Sequence, residues 1–150
     1  MVAIEVPAQY GWVVLGAGIG TLFTGFNLSG AVMKARTQYN VQYPNLYAVP
    51  GYHKNADEFN RVQRGHQNYL EGLGSYVTLA LIGGLKYPIA NAIGSVCFCV
   101  GSVLYMKGYS DTSLDVTTAR YKKGGIIKWV GVLISLVSTG SFAYGLITSA

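Results

Sequence analysis

Four apolar stretches alternate with polar, tyrosine-rich segments along the chain. Residues 10–33 carry no charged side chain and, at 1.5 Å per residue, are long enough to cross a hydrocarbon core of about 30 Å. Tyr10 and Trp12 suit a membrane interface at the start of this span, and Lys34 and Arg36 close it. Gly16 and Gly20, one helical turn apart, give a small-xxx-small spacing for close helix approach. Residues 56–85 predict a second helix of a different kind. Its front, FNRVQRGHQNYLE from Phe59 to Glu71, is polar, and it turns wholly apolar from Tyr76 to Leu85. Asn55 followed by Glu58 predicts a capping box at its start. Lys86 and Tyr87 lead through Pro88, a residue suited to a first helical turn, into a third span at 89–109. A polar loop separates that span from a fourth at 126–147. The expected fold is a single all-α integral membrane domain over 1–150, a four-helix transmembrane bundle.

Composition supports this class. Apolar residues are 51% of the 150 and charged residues 11%, against about 25% charged in soluble domains. The net charge of +5 does not mark a nucleic-acid partner, because of the 11 basic residues all but Lys86 lie in the first and third loops or the adjoining helix ends. By the positive-inside rule those loops face the cytosol and both termini the lumen. The N-terminus carries Glu5 and no Lys or Arg, so the first span is expected to stay as an anchor rather than be cleaved as a signal peptide. Cys97 and Cys99, two residues apart in an apolar span, point to opposite sides of a helix and read as packing residues. His53 and His66 are isolated, so no metal site is expected. The GAGIG run at 16–20 lies in a lipid-length span with no preceding strand, which sets aside a dinucleotide fingerprint.

The candidate chemistry lies on the polar front of the second helix. Arg61, Arg64, Asn68 and Glu71 fall within an arc of roughly 80° on an α-helix. Ionisable groups beside a membrane span are costly and mark a functional site by default; a solvated amphipathic start is the plain alternative. Guanidiniums fork onto carboxylates, Glu71 offers the charge an ammonium needs, and Asn68 can donate and accept. A zwitterionic peptide with extra carboxylates fits this inventory. A bare phosphate, repelled by Glu71, fits less well, and a purely structural Arg–Glu network stays open. Tyr105 and Tyr109, four apart, share a face at the end of the third span, beside a ligand or in an interfacial belt.

The pattern Phe59-x-Arg61-Val62-x-Arg64-x-x-x-Asn68-x-x-Glu71, with Leu104-Tyr105-x-x-Gly108-Tyr109 further on, resembles the membrane-associated proteins in eicosanoid and glutathione metabolism. The stretches Ala35-Arg36 through Tyr39-x-Val41-x-Tyr43-Pro44 and Gln63-Arg64-x-His66-Gln67-Asn68-x-Leu70-Glu71 resemble its type-3 microsomal glutathione transferase branch most. Gly72 stands where the leukotriene-forming relatives carry tyrosine. The resemblance implies a homotrimer of four-helix protomers in the endoplasmic reticulum membrane, with glutathione bound between neighbouring subunits near the cytosolic face. It implies glutathione contacts from Ser29, Arg36, Arg64, His66, Asn68, Glu71, Tyr105 and Tyr109, and a supporting role for Arg61. It implies that Arg120, in the loop before the fourth helix, stabilises the glutathione thiolate, the reactive nucleophile. That loop is longer here than in relatives, and Lys122 and Lys123 are alternative cations within it. The implied activity is conjugation of glutathione to a lipophilic electrophile, with glutathione-dependent reduction of lipid hydroperoxides beside it. Conjugation of the cysteinyl-leukotriene-synthase type and a non-catalytic lipid-binding scaffold are the alternatives.

Overall fold

The computed structural model describes residues 5–149, which are helical and contain no strand. Helix α1 runs over Tyr10–Tyr39, α2 over Ala56–Gly84, α3 over Pro88–Tyr109, a one-turn α4 over Ala119–Lys122, and α5 over Ile127–Thr148. Each long helix lies on an expected element, and Pro88 takes the first turn of α3.

Three differences have physical causes. Helix α1 does not stop at its first charges but continues to Tyr39. Lys34 and Arg36 mark the end of its apolar surface, and basic side chains near a helix C-terminus complement the dipole. The end comes at Asn40, in the left-handed conformation (φ 54°), with the Val41 N–H returning to the Arg36 carbonyl. Within α1, Val14–Gly20 winds as a π-helix, so Gly16 and Gly20 are not one α-turn apart. Of the two, Gly16 makes the close approach: a Cβ there would stand 2.7 Å from the Ser95 Cβ of α3. The capping box at Asn55 does not form. Its backbone (φ −112°, ψ 46°) departs from cap geometry, and its side-chain amide donates to the Glu58 carboxylate at 3.3 Å while its side-chain oxygen caps no backbone N–H.

The core lies where α1, α2 and α3 meet. Val13, Ala17, Leu28, Val32, Tyr69, Tyr76, Ala80, Phe98 and Met106 are buried there, with Tyr76 stacked on Phe98 at 3.8 Å between centroids. Tyr69 donates to the Thr21 carbonyl and Tyr76 to the Ser95 hydroxyl, so both buried phenols are satisfied. Buried Ser95 and Ser102 bond the carbonyls four residues back in α3, and Thr21 does the same in α1. Small hydroxyls thus occupy helix contacts, and the apolar spans carry buried polar residues such as Ser95, Ser102 and Ser135.

Helices α3 and α5 form the most extensive pairing. Gly94, Gly101 and Gly108, each seven residues apart on α3, make it possible. A Cβ on Gly101 would lie 2.1 Å from the Lys128 backbone nitrogen, and one on Gly108 would lie 2.4 Å from the Ala119 carbonyl oxygen. This stripe seats α4 against the end of α3 and the first turn of α5 against its middle, from where Lys128 reaches Asn68 on the polar front of α2.

Among the described residues three helices, α1, α3 and α5, are long and apolar enough to cross a membrane. Helix α2 has 29 residues, about 43 Å, but its first half is too polar to join them. Large apolar side chains such as Phe23 and Phe26 on α1 and Leu133 and Val137 on α5 are exposed, an arrangement suited to lipid or another subunit rather than water.

Candidate functional site

Helix α2 positions the site because one of its faces is polar for three turns. Arg64 donates to Glu71 at 3.0 Å, a direct bond across two turns rather than one relayed through neighbours. Asn68, between them, accepts a hydrogen bond through Oδ1 from the Lys128 ammonium of α5. Lys128 is 4% exposed, and its Nζ also stands 4.5 Å from the centre of the Tyr105 ring. Tyr105, on α3, is itself buried and stacks with Tyr109 at 6.2 Å, which removes it from an interfacial belt. Three helices therefore converge on Asn68.

The third loop closes the site from outside. Arg61 is half spent on Asp57, at 2.8 Å, and its Nη1 donates to the carbonyls of Asp111 and Leu114, both at 3.2 Å. The Asp111 carboxylate takes the Lys123 ammonium at 2.7 Å and the amide and hydroxyl of Ser113. These bonds hold its acidity at about pKa 2, well below the usual carboxylate value, with Lys123 the largest cause. Asp115 binds Thr117 and Thr118 and turns the chain into α4. The extra loop length is thus folded back, and α4 carries Arg120 to the tyrosines. Its guanidinium carbon is 5.6 Å from the Tyr109 ring centre and 5.9 Å from that of Tyr121. Nη2 of Arg120 donates to the Thr117 carbonyl at 3.3 Å, while its buried Nε–H has no partner among the described residues. Of the alternative cations, Lys123 is committed to Asp111 and Lys122 is exposed.

A cleft of about 320 Å³ opens beside this array, lined by Tyr47, Asp57, Asn60, Arg61, Arg64, Tyr109 and Val116. Along α2 the backbones of Arg64 and Glu71 are about 10 Å apart, and the two side chains close that gap to 3.0 Å between their charged ends. No group of His, Cys, Asp and Glu side chains among the described residues is arranged to hold a metal.

The expected residues divide into two sets. Arg64, Asn68, Glu71, Tyr105, Tyr109 and Arg120 come together at one end of the bundle. Ser29, Arg36 and His66 do not join them within one chain. His66 lies about 160° around α2 from Arg64 and Asn68. Arg36 faces Phe59, on that same far side, at 5.3 Å, and Tyr43 at 4.4 Å, and its Nη1 is held by the carbonyls of Asn45 (2.8 Å) and Val41 (3.3 Å). Ser29 is half-buried on α1. Lys128 is the residue that sequence reasoning passed over. A lone charge inside an apolar span was the available signal, but it served only to orient the topology.

Residues 14–144 match the MAPEG family model, nearly the whole of the helical bundle and all of the polar array. Together with the all-helical architecture and the apolar spans, that match establishes that the chain belongs to the MAPEG family, the membrane-associated proteins in eicosanoid and glutathione metabolism.

Proposed function

We propose that the protein is a membrane-bound glutathione transferase of the type-3 microsomal kind, which binds glutathione on the polar face of α2 and activates its thiol with Arg120. The observation that carries this reading is the Arg120 guanidinium held over the Tyr109 ring, at the same end of the bundle as the Arg64–Glu71 recognition face. Glu71 takes the γ-glutamyl ammonium and Arg64 a carboxylate. The ligand's own opposite charges replace the Arg64–Glu71 pair, so binding leaves neither group unpaired. A guanidinium beside the thiol favours the thiolate and raises the nucleophilic fraction at neutral pH. The electrophile reaches the sulfur from the lipid side, across the apolar surfaces of α1 and α5. A lipid hydroperoxide entering the same way is reduced at the expense of glutathione.

The assembly in this reading is a homotrimer of protomers whose four long helices all cross the endoplasmic reticulum membrane, with the basic end in the cytosol and the termini in the lumen. Ser29, Arg36 and His66 then serve a neighbouring subunit's site. The test is ultraviolet difference absorbance on adding glutathione to the purified protein in detergent near neutral pH, with Arg120→Ala alongside. Thiolate absorbance in the wild type and its loss in the variant are expected. Thiolate in both moves the activating role away from Arg120. Thiolate in neither removes the conjugation chemistry and leaves a lipid-binding scaffold.

A further inference from the structure

We infer that Lys128 is a positioning residue that fixes the orientation of the Asn68 amide, so that the site presents an N–H donor pair to its ligand at this point and not a carbonyl. The inference rests on the glutathione-binding reading above and adds a residue and a polarity to it.

Two observations carry it. The first is chemical. An ammonium has donors and no acceptor, so the Asn68 atom that meets Lys128 Nζ is the carbonyl oxygen. The ambiguity between oxygen and nitrogen that attends most amide side chains is thereby removed, and Nδ2 is left as the free donor end of an amide that shares a face of α2 with Arg64 and Glu71. The second is architectural. Lys128 is 4% exposed and makes no ion pair within 4.0 Å among the described residues; its contacts are Asn68 and the faces of Tyr105 and Trp129. A buried ammonium with no carboxylate in direct contact is costly to keep. Its position is nonetheless built in: Gly101 has no side chain where the Lys128 backbone crosses α3, and a Cβ there would stand 2.1 Å from the Lys128 nitrogen. The consequence for recognition is definite. Between a cation (Arg64) and an anion (Glu71), the amide faces a ligand acceptor, which in a γ-linked tripeptide is a carbonyl or carboxylate oxygen.

The experiment is calorimetric titration of glutathione into the full-length protein in detergent, comparing wild type with Asn68→Ala, Lys128→Met, the double variant, and Asn68→Asp. Lys128→Met and Asn68→Ala should each weaken binding about tenfold or more, and the double variant should be no weaker than the poorer single one, because the lysine acts through the amide. In steady-state turnover the loss should fall on the KM for glutathione more than on kcat. Asn68→Asp guards against a Lys128→Met protein that does not fold. It exchanges the hydrogen bond for an ion pair, so it should melt no lower than wild type, yet it offers only oxygens and should bind at least tenfold more weakly. Wild-type affinity in Asn68→Asp or in a folded Lys128→Met overturns the inference, as do additive effects in the double variant. Absence of glutathione binding by the wild type overturns the underlying functional reading, and is told apart from the other failures because it precedes any substitution.

Discussion

Arg64 and Glu71 hold each other while each side chain keeps 47% of its surface exposed. A pair this wet contributes about 0–1 kcal/mol to stability, because water screens it and two long side chains must be ordered. Arg64→Ala and Glu71→Gln should therefore leave thermal unfolding shifted by less than about 1 kcal/mol, while glutathione affinity falls tenfold or more. Melting curves and calorimetric titrations on the same detergent preparations check both halves. A large loss of stability would give the pair a structural role in place of a recognition role. At this scale the sequence was legible in one direction only. A period of 3.6 shows which residues share a face of one helix, and so Arg61, Arg64, Asn68 and Glu71 were readable as a set. It says nothing about which residue of a distant helix will meet that face. The Lys128 contact depends on how close α5 can come to α3, a fact about glycines 27 to 34 positions before it in the chain.

The third loop and the α3–α5 seam are the elements on which the site depends. In the loop, Asp111 has its pKa lowered to about 2 from 3.8, so its folded pKa is the smaller of the two. Its contribution to loop order is accordingly present above pH about 4 and lost as pH falls through about 2. Lys123→Ala should move the Asp111 titration upward towards the ordinary value, as followed by carbon NMR of a labelled carboxyl. An unmoved titration would mean that Ser113 and not the ammonium sets it. In the seam, Gly101→Ala forces a methyl against the α5 backbone and should destabilise by about 1–3 kcal/mol, the usual cost of overpacking. Gly140→Ala, with nothing within 4 Å of its added carbon, should be near neutral. Chemical denaturation of both variants decides it, and equal stability would place α5 farther from α3. The helices themselves were legible because lipid-length apolar runs and a proline at a first turn leave few alternatives. The end of α1 was less so, since charges that stop an apolar surface need not stop a helix. The glycine stripe at 94, 101 and 108 went unread, because spacing alone gives no sign of which neighbour a glycine receives.

Across the whole molecule, the two faces of α2 pose one question of assembly. Arg64, Asn68 and Glu71 look towards α3 and α5, whereas His66 lies on the far side, where Arg36 packs over Phe59. A monomer cannot bring both sets to one ligand without turning α2 about its axis, which would expose Tyr69 and Tyr76 from the core. In the proposed ring, a heterologous contact would set one copy's far face against the next copy's polar face. The family relationship does not by itself supply the ring; the proposal of one rests on the division of residues between the faces. If sites are shared in this way, Arg36→Ala and Arg120→Ala should each inactivate the homo-oligomer through different halves of the site. Subunits carrying one substitution each, co-expressed and purified through two different tags, should regain activity. An interface that takes Arg36 from the Arg120→Ala copy and Arg120 from the Arg36→Ala copy is intact, and in a ring of three that contains both kinds of subunit about one interface in three is so. Glutathione-conjugating activity of the doubly tagged preparation is the readout. Inactive oligomers that contain both subunits would confine the whole site to one chain, and would require Arg36 to act only through the loop carbonyls of Val41 and Asn45 that it holds.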